Sequence, residues 1–194
     1  MTPPNERQRA APRVLDPVLA LVERVDRWRR RIRPVLPGAL LGVERAGYRG
    51  PGTVLADGTP LAPGDRVWVL HFDNARLRGL VGGPDRWPTA AYRVAVEDLR
   101  ALARQVEVSP PDERPAAMGG VTLLASLTRR LGFEVVAREP GPRARLEDWY
   151  LRSLLARWAP AGRGRLSRGR GELRASATWI STDELLRRYG PPPE

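Results

Sequence analysis

The stretch VLADGTPLAPGDRVWVLHF, Val54–Phe72, decides how the rest of the chain folds. Its Asp57-Gly58 pair lies between two short apolar runs, the pattern of a tight hairpin in which both central residues take positive φ. Pro63-Gly64-Asp65 makes a second turn, and residues 66–72 form the most strand-like run in the chain. Val67, Val69 and His71 alternate with Trp68, Leu70 and Phe72, so both faces of that strand are largely apolar and it belongs inside a sheet.

Upstream, residues 40–48 read as β-structure. Residues 15–36 read as a helix through Val18, Val22, Val25, Ile32 and Leu36, ended or kinked by Pro34 and Pro37. Downstream, Asp73 or Asn74 caps a short helix to about residue 80, which Gly82-Gly83-Pro84 terminates. A second helix over 89–106 carries Tyr92, Val96, Leu99, Ala103 and Val106 on one stripe. Gly119-Gly120 is expected to open a third, with Val121, Leu124, Leu127 and Leu131 inward and Gly132-Phe133 as its C-terminal cap.

A strand over 133–137, a helix over 146–158 through Tyr150, Leu151, Leu154, Leu155 and Trp158, and an arginine-rich loop over 161–174 follow. After a strand over 175–180, Ser181-Thr182-Asp183-Glu184 spells a capping box, with Ile180 and Leu185 as the hydrophobic staple of a last helix that stops at Gly190. The expected fold is α+β: an N-terminal amphipathic helix, a small antiparallel β block with the Asp-Gly hairpin, then helices with two further strands. It forms one domain over 14–190 between disordered tails at 1–13 and 191–194.

The chain has 194 residues, enough for one domain with a core of its own. Its 33 basic residues against 22 acidic ones leave +11, and all 33 are Arg, with no Lys. The absence of Lys reads as the codon bias of a GC-rich genome, but the excess of positive charge survives that discount and favours anionic surfaces. With no Cys, disulfides, thiolate nucleophiles, zinc fingers and iron–sulfur clusters are excluded. With one His, His71, no site built on two or three imidazoles can form within the chain, and neither a metal nor a cofactor is expected. No run approaches the roughly 18 apolar residues of a membrane span, and residues 1–12 lack the apolar core of a signal peptide. The chain reads as cytoplasmic, with peripheral contact to a membrane face.

Two constellations carry chemistry. His71, Asp73 and Asn74 lie at the end of the central strand, where an imidazole beside a carboxylate suits a general base; the plainer reading is a core imidazole next to a helix cap. Arg27, Arg29, Arg30, Arg31 and Arg33 form one cationic cluster, and Arg163, Arg165, Arg168 and Arg170 belong to a second. Such clusters attract phosphates of a membrane or an acidic polysaccharide, and Arg27–Arg33 beside Trp28 and Ile32 is how an interfacial helix is written. The plainer reading is a solvated face. No DNA- or RNA-binding motif supports sequence-specific nucleic-acid recognition.

The order of Trp28 among its arginines, Tyr48-Arg49-Gly50-Pro51, Leu55-Ala56-Asp57-Gly58-Thr59, Gly64-Asp65, Leu70-His71-Phe72-Asp73-Asn74, Gly120-Val121-Thr122-Leu123-Leu124, Leu131-Gly132-Phe133-Glu134-Val135 and Trp179-Ile180-Ser181 resembles the YkoP-like domain, from about Val18 to Gly190. That bacterial domain stands alone or is fused behind polysaccharide deacetylase modules. The resemblance implies a role accessory to carbohydrate deacetylation at the cell envelope. It implies no metal chemistry of its own, because the deacetylase partner uses two His and an Asp and this chain has one His.

Overall fold

The computed structural model describes residues 25, 27–79, 87–138, 140–158 and 175–191. The chain divides into two compact units, Met1–Ile32 and Arg33–Glu194. The expected tail at 1–13, helical residues 15–24, the turn at 82–84, the arginine loop at 161–174 and the end of the C-terminal tail lie outside the described residues.

In the first unit the helix closes earlier than the prolines suggest. Ile32 N–H donates to Arg27 O at 3.0 Å and Arg31 N–H to Trp28 O at 3.1 Å. Arg31 takes φ 52°. This is a Schellman closure with an arginine where glycine is usual, so the helix is finished before Pro34 is reached. Leu36 is therefore not helical, and Arg33–Pro34 form a two-residue strand instead.

The second unit is α+β. Its six-stranded sheet runs in the order β1 (Arg33–Pro34), β2 (Leu41–Gly47), β5 (Arg66–Phe72), β6 (Ala117–Thr122), β8 (Ser176–Ser181) and β7 (Glu134–Val136). β3 (Thr53–Val54) and β4 (Pro60–Leu61) form a separate hairpin. The helices are α1 (Asn74–Gly79), α2 (Trp87–Glu107), α3 (Ala125–Arg130), α4 (Pro142–Trp158) and α5 (Thr182–Tyr189). β5 is internal as its two apolar faces require: it pairs antiparallel with β2 and parallel with β6. The expected antiparallel β block is present as β1-β2-β5 and the β3-β4 hairpin, and the sheet as a whole is mixed because β6 adds parallel to β5. Its parallel pair is joined by the crossover that holds α1 and α2.

The expected helix opening at Gly119-Gly120 is strand β6, paired on its other side with β8. The glycines are there for close approach. A Cβ on Gly119 would lie 2.0 Å from Thr178 O and 2.8 Å from the Trp179 ring, and one on Gly120 would lie 2.9 Å from Leu70 O. The helix, α3, starts only at Ala125 and ends as expected, with Gly132 at φ 83° and Phe133 N–H donating to Thr128 O at 3.0 Å.

Two apolar clusters flank the sheet. Trp68, Leu41, Met118 and Ile180 pack with Ala91, Ala95, Leu99, Leu102 and Val106 of α2 and with Leu185 of α5. Alternate residues, Val67, Ala117, Trp179 and Val136, pack with Tyr48, Leu55 and Leu61 on the side of the hairpin. Tyr48 meets Trp179 edge to face at 5.3 Å between ring centroids. The hairpin differs in detail from the expected two-residue turn. Leu55 N–H donates to Thr59 O and Gly58 N–H to Leu55 O, each at 2.9 Å. Only Gly58 is left-handed, at φ 90°, so Ala56-Asp57-Gly58 is a three-residue loop and Asp57 keeps ordinary backbone angles.

Candidate functional site

The register of β2 and β5 sets the surroundings of His71. Val69 stands opposite Glu44 and His71 opposite Gly42, so Glu44 is the diagonal neighbour of His71 on one sheet face. Gly42 offers no side chain to fill the intervening space, and the imidazole reaches across. His71 Nε2 lies 2.9 Å from Glu44 Oε2, with the two side chains 25% and 19% exposed. A half-buried imidazole held against a carboxylate can exchange a proton with a group that reaches it from solvent.

Asp73 and Asn74 serve the helix start. Asp73 Oδ1 accepts from Arg76 N–H at 3.0 Å, and its own N–H donates to Leu40 O at 2.7 Å. Asp73 is therefore the N-cap, and Asn74 is the first residue of α1. The carboxylate that meets His71 came from 27 positions away and had no marker in the chain. Among the described residues, no group of three or more His, Asp or Glu side chains is placed to hold a metal ion.

Of the cationic clusters, Arg29, Arg30 and Arg31 are exposed around Trp28, which is 79% exposed. Arg27 is half-buried, and Arg33 is exposed on β1. Arg163, Arg165, Arg168 and Arg170 lie outside the described residues. Among the described residues, no helix is long and apolar enough to cross a membrane.

Three further carboxylates organise the backbone; Asp57 and Glu184 were expected in a turn and a cap, and Asp98 was passed over by sequence reasoning. Asp98, on the buried side of α2, accepts Leu41 N–H at 2.8 Å and so ties the start of β2 to the helix. Burial raises its pKa, against the opposing pull of the Leu41 and Leu40 N–H groups. Its signal was a carboxylate one residue from Leu99 in an otherwise apolar stripe. Asp57 accepts from Thr59 N–H at 3.0 Å and from the Ser181 hydroxyl, which clips the hairpin to the start of α5. Its burial raises its pKa, but the hydrogen bonds from Ser181 and Thr59 outweigh that and hold it below the usual range.

Glu184 is the third. Ser181 caps α5 by accepting Glu184 N–H at 3.0 Å, one half of the expected capping box. The Glu184 carboxylate accepts instead from Arg187 and Arg188. Ile180 and Leu185 are both buried in the core, as the staple requires.

Together these features define a small α+β protein with a mixed six-stranded sheet, one surface imidazole–carboxylate pair and a solvent-exposed arginine–tryptophan segment. The family model of the YkoP domain matches residues 13–189, and the chain belongs to that family. No curated protein and no solved structure matches it.

Proposed function

We propose that the protein is a non-catalytic binding module of the cell envelope that docks on an anionic membrane face through its N-terminal arginine segment. In this reading it works on the cytoplasmic side, as an accessory to a polysaccharide deacetylase. One observation carries it: Trp28 is left 79% exposed next to the exposed Arg29, Arg30 and Arg31. An indole in water beside guanidinium groups matches the headgroup boundary of a bilayer, where the ring is partly buried and the cations meet phosphate. The net charge of +11 adds long-range attraction.

Co-sedimentation with phosphatidylglycerol-containing and pure phosphatidylcholine vesicles tests this. Binding to the acidic vesicles is expected at low salt and should weaken at about 0.1 M, where the Debye length is about 10 Å. Equal, negligible binding to both would sink the membrane reading, and retention on an acidic polysaccharide resin instead would reassign the partner to an envelope glycan.

A second reading rests on His71 against Glu44 at 2.9 Å: a small enzyme in which this pair moves a proton at the strand end, beside Asp73 and Asn74. It requires a hydrolytic activity, screened first on N-acetylated oligosaccharides, that His71→Asn abolishes without loss of fold. Turnover unchanged in that variant removes the enzyme reading.

A further inference from the structure

The helix α4 carries a second surface of the same chemistry. Over Pro142–Trp158 its exposed positions include Arg145, Leu146, Trp149, Arg152 and Ser153. Spacings of three, four and seven place Arg145, Trp149 and Arg152 in one row of the helix surface, with Leu146 beside Trp149. Leu146 is 64% exposed and Trp149 66%.

Of the two acids of the helix, Glu147 points away from this row, and Asp148, at its edge three residues from Arg145 and four from Arg152, is drawn off by an arginine from outside the helix. Arg138, following β7, donates to Glu147 Oε2 at 2.5 Å and to Asp148 Oδ1 at 2.8 Å. The same guanidinium reaches Ala144 O at 3.2 Å and Ala175 O at 3.3 Å, so it anchors the helix to the chain entering β8. Both acids are thereby taken up by Arg138, and Arg145 and Arg152 stay exposed beside an indole and a leucine. Trp149 and Leu146 are exposed side by side rather than singly, flanked by cations.

We propose that this face of α4 docks on the headgroup region of an anionic lipid bilayer, with Trp149 and Leu146 entering the interface and Arg145 and Arg152 pairing with lipid phosphates. The charge selects the occupant. A second copy of the chain docked by this face through a two-fold axis would bring arginines against arginines, whereas a surface of lipid phosphates complements them. The tryptophan fits the same partner, since its ring is apolar and its N–H can still reach the wet side of the boundary. The inference rests on the reading of an anionic membrane as partner, but on residues separate from those that carried that reading.

The test uses the full chain and vesicles of phosphatidylglycerol with phosphatidylcholine, against phosphatidylcholine alone. Neutralising one surface arginine lowers partitioning about fivefold, so R145Q/R152Q should bind roughly 25-fold more weakly than the parent. Trp149→Phe should remove part of the tryptophan quenching caused by brominated lipids. All these positions are exposed, so an unchanged melting temperature is the accompanying control. If R145Q/R152Q and Trp149→Phe behave as the parent while W28A/R29Q/R30Q/R31Q loses binding, the α4 site is wrong and the N-terminal one stands. The opposite pattern keeps α4 and removes the N-terminal site. A parent that ignores acidic vesicles overturns both, and a parent dimer that Trp149→Ala dissociates, seen by sedimentation velocity, gives the α4 face to a second copy.

Discussion

α2 and α4, of 21 and 17 residues, differ in the contacts of their described side chains. α2 buries Ala91, Ala95, Leu99, Leu102 and Val106, and its small alanines let it lie close to the sheet. Its one buried carboxylate, Asp98, is matched to a backbone N–H. Among the described side chains of α4, Glu147 and Asp148 are tied by Arg138 through two ion pairs, Tyr150 and Leu151 are half-buried, and Leu146 and Trp149 stand in solvent. A helix held by apolar burial is part of the fold, and its loss takes the domain with it. A helix pinned in part by a charged clasp can keep one side exposed for a partner, and a local attachment of that kind can loosen without unfolding the sheet.

That contrast can be broken in several ways. The largest effect is expected for Leu102→Ala, which empties a fully buried position of α2 and should lower unfolding free energy by about 2–5 kcal/mol in urea titration. A drop well below 1 kcal/mol would mean that α2 is not the helix on which the core depends. Asp98→Ala, which strands the Leu41 N–H, should lower it by about 1–3 kcal/mol.

Asp98 also carries a pH signature. Its pKa is raised by burial, so the folded state holds this proton more tightly than the unfolded chain. Its contribution is full below the ordinary carboxylate range and declines as the pH rises through the folded value. Asp98→Asn should flatten that decline; parallel pH profiles for parent and variant would contradict the assignment.

Arg138→Met sharpens the comparison from the side of α4. Hydrogen exchange at α4 amides should quicken while α2 amides keep their protection, with global stability lowered less than by Leu102→Ala. Equal deprotection of both helices would show that α4 is as integral as α2. The smallest effect belongs to Glu184, which Arg187, in the first place, and Arg188 hold at a pKa of about 2 against an ordinary 4.5, with burial opposing them. Its contribution is present above about 4.5 and is lost as the pH falls toward 2. Glu184→Gln should remove that acid-side slope in thermal melts, and an unaltered slope would assign it to other carboxylates.

How much of this was legible varies with the range of the interaction. β5 as an internal strand, the Gly132-Phe133 cap and the Ser181 cap of α5 could be read because each depends on residues within a few positions. The Asp57-Gly58 hairpin was legible as a hairpin but not in its loop length, since Asp57 is also drawn by Ser181, 124 positions away. At the candidate sites, the arginines around Trp28 were legible by composition, whereas the pairing of Glu147 and Asp148 on α4 depended on Arg138, nine and ten positions away.

The ordered short motifs carried the resemblance to the family, and the sequence by itself determined the α+β class, the local caps and turns, and the exclusion of multi-imidazole or thiolate chemistry. These follow from periodicity, from the backbone preferences of Gly and Pro, and from the one His and absent Cys. The tertiary structure alone decided that Gly119-Gly120 is a strand, because the reason for those glycines is the close approach of Thr178, Trp179 and Leu70. It alone gave His71 its partner Glu44 and Trp149 its exposure. Strand register and helix attachment couple residues far apart in the chain, and no spacing along the chain encodes which of many carboxylates or apolar faces will be brought to meet them.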